Sequence, residues 1–148
     1  MADEKTKAPE QAEPTAEEQE ALAREKMYEF LKETFGPEAP DAEKVAAWKQ
    51  RHRRVRLLPL SDDEVYFVRP IKRNEYKALL KGAQSSGGED VEAFLRERIV
   101  AQCVLWPAMD SAQFADGFAG TIDALYQIIM DASNFVSQEA LFTVVREL

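Results

Sequence analysis

Few residues in this chain are of a type and spacing that could carry chemistry. His52 is the only histidine. It stands in the stretch WKQRHRRVR, and the arginines around it disfavour a protonated ring. No acid beside it in sequence supplies a general-base partner. A polar residue closing a helix is the expected role. Cys103 is the only cysteine, which excludes an internal disulfide and a cysteine-based zinc site. It lies in an apolar run with nothing adjacent to stabilise a thiolate, so packing is expected of it.

The loop from Gly82 to Gly88 has the opening spacing of a phosphate cradle. Gly88 and Glu89 stand where that motif needs lysine and a hydroxyl residue, and the loop follows a helical pattern rather than a strand. An acid at that point repels phosphate, so the motif fails. Asp110, Asp116, Asp123 and Asp131 match no calcium-loop spacing. Asp62, Asp63 and Glu64 read as turn residues. No catalytic, metal or cofactor motif emerges, and a non-enzymatic protein is expected.

The remaining chemistry is charge. The chain carries a formal net charge of −8, unevenly placed. A basic block over residues 49–81 separates two acidic stretches. Lys49, Arg51, Arg53, Arg54 and Arg56 form its densest run. Cations suit the C-terminal end of a helix, and they also suit an acidic partner segment. Trp48, Tyr66 and Phe67 could stack on RNA bases, but no recognition-sheet signature accompanies them. The acidic flanks repel phosphate, so nucleic acid is not expected as a partner. No apolar run approaches membrane-spanning length, and membrane contact is not expected. The acidic, polar opening MADEKTKAPEQAEPTAEEQE is unlike a secretory signal. With one cysteine, a reducing cytoplasm is the simplest setting.

The elements that must hold these groups are mostly helical. Residues 1–14 lack large apolar side chains after Met1 and are expected to be a disordered acidic tail. Residues 15–40 form an N-terminal helix and linker, opened by a Thr15–Glu18 capping spacing and closed by GPEAP. Residues 41–148 form one globular domain. Its first helix runs from Ala42 to about His52. RVRLLPL and VYFVR, separated by SDDE, predict a hairpin with Pro59 on its edge strand and Val65–Val68 inside. A helix with Ile71, Tyr76, Leu79 and Leu80 is expected to end near Gly82, before a flexible GAQSSGG loop. Glu89–Trp106 reads as one apolar helix stopped by Pro107. A linker with at most a short helical turn leads to a helix presenting Phe118, Ile122, Leu125 and Ile129, with Asn134 as its C-cap. A last helix spans Gln138–Leu148. The expected class is therefore α+β, predominantly α-helical, with one short β-hairpin. The apolar residues of the last two helices either close the core or leave a groove for another apolar segment.

Several short words occur together here: Trp48-Lys49 with His52, Arg69-Pro70, Arg73 with Glu75-Tyr76, CVLWP from Cys103 to Pro107, and Ser133-Asn134-Phe135. In this order the chain resembles tail assembly chaperone-like proteins of tailed bacteriophages, over roughly residues 44–136. Trp106 stands for the more usual tyrosine and Asn134 for glycine, both mild changes. The resemblance implies a non-enzymatic protein that coats the tape-measure protein, helps recruit tail-tube subunits and acts in the host cell cytoplasm. It leaves room for self-association. One alternative is a structural virion component of the tail or baseplate. Another is a small phage regulatory protein that binds a host factor through the basic block. The side chains expected to meet a partner are Trp48, Arg53, Arg54, Arg56, Arg69, Lys72 and Arg73.

Overall fold

A computed structural model describes residues 13–86, 88 and 90–148. The tail expected over residues 1–14 therefore lies almost wholly outside the described residues. Two compact units divide the chain, the first closing at Ala42 and the second running from Glu43 to Leu148.

In the first unit, helix α1 spans Ala16–Phe35. The Thr15 hydroxyl accepts from the Glu18 amide at 3.2 Å, so the expected cap forms. Glu17 and Glu18 in the first turn and Lys32 in the last suit the helix dipole. Gly36 ends the helix at φ +90°, a conformation that strains any residue with a Cβ.

The second unit is built on a three-stranded antiparallel sheet with helices packed against it. Its helices are α2 (Ala42–His52), α3 (Arg73–Ser86), α4 (Val91–Cys103), α5 (Ser111–Asp116), α6 (Ala119–Ala132) and α7 (Gln138–Val144). Its strands are β1 (Arg56–Ser61), β2 (Glu64–Val68) and β3 (Val104–Trp106), in the order β1-β2-β3. The α+β, mostly helical class is as expected. β1 and β2 form the hairpin, turning through Asp62 and Asp63, with β1 and its Pro59 on the edge. The central strand β2 has Val65, Tyr66, Phe67 and Val68 all buried, which matches its run of β-favouring residues.

The third strand is a correction. The apolar run IVAQCVLW does not stay helical to Trp106. α4 stops at Cys103, and Val104–Trp106 pair with Phe67 and Val68. The Arg69 amide continues the pairing with a 2.9 Å bond to the Cys103 carbonyl. Burial on both sides erases the polar face that separates helix from strand, so periodicity alone could not place the switch. α4 begins at Val91, where Asp90 caps the Ala93 amide at 3.1 Å.

Two further boundaries differ. α3 does not end at Gly82 but continues to Ser86, so most of the expected loop is helical. Ala83 is fully buried, and that packing offsets the weak helix preference of Gly82. Gly87 lies outside the described residues. α7 stops at Val144, short of the expected Leu148.

One apolar cluster joins the sheet to α3, α4, α5 and α6. Val68, Ile99, Val100, Cys103, Leu125 and Ile129 are at its centre, each with no exposed surface. Arg96 of α4 lies over the Tyr126 ring at 5.0 Å and bonds Asp123 at 2.9 Å, latching α4 to α6. Phe118 departs from expectation: it precedes α6 as its N-cap and is 79% exposed.

Candidate partner-binding surface

The seven expected contact residues fall into two groups. Trp48, Arg54, Arg56 and Arg69 serve the fold. Arg53, Lys72 and Arg73 are exposed and, among the described residues, make no ion pair.

Trp48 sits half-buried on the outer side of the sheet, its ring 5.7 Å from Phe67 and covered by Lys44 at 5.7 Å. Phe67 in turn meets Trp106 edge-on at 6.3 Å. This aromatic row packs α2 against β2 and β3. Arg56 at the start of β1 pairs with Asp131 of α6. Arg54 donates to the Ala132 carbonyl at 2.8 Å and to Asn134 Oδ1 at 2.7 Å. It therefore satisfies the carbonyl end of α6.

That helix end is closely specified. Asn134 takes the left-handed conformation at φ +68°. The Phe135 amide donates to the Met130 carbonyl at 3.0 Å and the Asn134 amide to the Asp131 carbonyl at 3.2 Å. This pair of bonds is the Schellman closure. The Ser133 hydroxyl accepts from the Ile71 amide at 2.8 Å and donates to the Ile129 carbonyl at 2.6 Å. Arg54 and Ile71 thus both end on the α6 terminus.

Arg69 and Glu75 form a bidentate pair with both bonds at 3.0 Å. Glu75 also accepts from Gln102 Nε2 at 2.6 Å and from the Lys72 amide at 3.1 Å. With its side chain only 11% exposed, Arg69 is not available to a partner. The hydrogen bonds from Arg69 lead in holding the Glu75 carboxyl down at about 2, against the opposing effect of burial. Burial pushes the Cys103 thiol up to about 12, more than nearby Arg69 draws it down. Cys103 is a packing residue, fully buried in the core.

His52 lies beside this network. Partial burial, and then Arg69, Arg51 and Lys72, hold its imidazole below the ordinary histidine value, while Glu75 pulls the other way. Its ring borders a cleft of about 480 Å³ between the end of α2, the segment 70–72 and the end of α6. Arg53, Arg54 and Lys72 line that cleft, as does Arg51, which was outside the expected contact set. Arg51 was legible as one more cation in the last turn of α2. Arg73 falls in an adjoining hollow with Tyr76 and Phe135.

A separate hollow of about 160 Å³ lies between Tyr66, Pro107, Met109, Phe114 and Ile122. The Tyr66 hydroxyl donates to Glu64 at 2.9 Å at its edge. Burial first, and that bond second, raise the phenol to about 12.

α7 presents a different surface. None of its residues is buried. Leu141 is 50% exposed, and Phe142 and Val144 are each 70% exposed. Val136, Val145 and Leu148 extend the apolar exposure on either side. Of the two readings for the late apolar residues, α6 closes the core and α7 does not.

Among the described residues, no group of three or more His, Cys, Asp or Glu side chains is placed to hold a metal ion. Among them also, no helix is long and apolar enough to cross a membrane. Comparison of the chain with protein-family models, with curated proteins and with solved structures finds no match.

Proposed function

We propose that this chain is a non-enzymatic tail assembly chaperone-like protein that binds the tape-measure protein and tail-tube subunits during phage tail morphogenesis. The observation that carries the reading is α7. A helix bearing leucine, phenylalanine and valine, with no buried residue, leaves an apolar surface uncovered among the described residues. Such a surface matches the apolar helical stripes of a tape-measure protein before it is packed. A helix this short gives contacts that exchange readily, as a transient holder requires. The acidic charge of the chain keeps the loaded complex soluble. Its site of action is the host cell cytoplasm.

Co-expression of the full chain with the tape-measure protein tests this. The wild type is expected to keep the tape-measure protein in the soluble fraction. Phe142→Asp with Val144→Asp is expected to lose that effect at unchanged circular dichroism, since both side chains are exposed. A variant that still holds the tape-measure protein soluble defeats the reading. Mass spectrometry of purified mature virions adds a second arm. Stoichiometric recovery of the chain there would make it a structural tail component instead.

A further inference from the structure

The basic cleft has no carboxylate among its lining residues. Of the acids on the elements around it, Asp131 pairs with Arg56, and Glu75 with Arg69 and Gln102. Arg54 is committed to the α6 terminus. Arg51, Arg53 and Lys72 make no ion pair among the described residues. Three unneutralised cations thus share one concave site in a chain of net charge −8.

The adjoining hollow, about 280 Å³, shares part of its wall. Ile71, Ser133 and Asn134 line both. Its own walls are Arg73 and the Tyr76 and Phe135 rings, whose centroids are 5.3 Å apart. Phe135 is 47% exposed, so its side chain remains partly open to solvent.

Arg53 carries a further sign. It ends α2 at φ +70°, a conformation that glycine holds without strain and arginine does not. A cation stands at the cleft where stability alone favours glycine.

We infer that these adjoining hollows receive a short acidic segment of a partner protein. Its carboxylates enter among Arg51, Arg53 and Lys72, and its adjoining apolar side chain lies against Tyr76 and Phe135. Charge complementarity selects acid. A nucleic-acid duplex spreads its phosphates about every 1.7 Å along its axis and needs a long positive track. This positive charge is confined to one cleft of an acidic chain. The site is independent of the α7 surface and of the chaperone reading.

Fluorescence anisotropy with the full chain tests it. The probe is a fluorescein-labelled peptide of alternating glutamate and aspartate followed by a leucine-phenylalanine pair. Binding is expected to weaken about tenfold or more between about 0.05 M and about 0.5 M salt. It is expected to vanish when the acids become glutamine and asparagine. Lys72→Glu is expected to weaken it at least about tenfold. Arg53→Gly is expected to raise Tm and still weaken binding, opposite signs that a merely structural residue would not give. No binding at low salt overturns the proposal, as does equal binding by wild type, Lys72→Glu and Arg53→Gly. Displacement of the peptide by an oligonucleotide of equal charge also overturns it.

Discussion

Glu75 accepts from Arg69, Gln102 and the Lys72 amide, and its acid sensitivity follows. Its carboxyl titrates at about 2 in the folded chain, against about 4.5 for an unperturbed glutamate. The folded state therefore binds fewer protons than the unfolded state in that interval. Stability from this group is complete above pH 4.5 and drains away as pH falls toward 2. We expect urea midpoints to fall across that window in the wild type and to flatten in Glu75→Gln. The variant leaves Arg69 without its charged partner, so it should also lose on the order of 2 kcal/mol at neutral pH. At this scale the sequence showed which residues are charged but not where they go. Arg54 and Asn134 are far apart in the chain, as are Arg56 and Asp131, and no local pattern links them. Four of the seven expected contact residues consequently serve the fold.

Elements were legible wherever a local signal marked them. Thr15 before a helical pattern, Gly36 after it and Pro59 on an edge each act through neighbouring backbone, so the expectation and the structure agree there. Boundaries failed where tertiary packing decided. The switch from α4 to β3 falls inside an apolar run, because β2 offers Val104–Trp106 a partner strand. α3 passes Gly82 because Ala83 has a buried place to fill. The α4 start gives a separable test of local and packing contributions. Asp90→Ala removes a cap at an exposed helix end and should cost about 1 kcal/mol. Ile99→Ala opens a cavity at a fully buried position of the same helix and should cost about 3 kcal/mol. Denaturant titration of both variants reads the difference directly.

For the molecule as a whole, the sequence specified that its last helix has an apolar face but not whether the chain covers it. Amphipathic spacing looks the same for a helix docked on its own core and for one awaiting another protein. α7 is not docked on the core among the described residues, none of its own being buried. We expect a hydrophobic dye such as ANS to bind the native chain and to lose most of that signal in Phe142→Asp with Val144→Asp. The thermal midpoint should move by less than about 0.5 kcal/mol in equivalent stability, as for exposed positions generally.

The β1 edge of the sheet has a consequence for a protein with so much apolar surface uncovered. β1 is six residues long, includes a proline with no N–H to give, and loses its register between Pro59 and Ser61. A foreign extended chain laid along it finds no regular ladder to copy. Strand-by-strand templating, the route that ends in fibres, is interrupted along this strand.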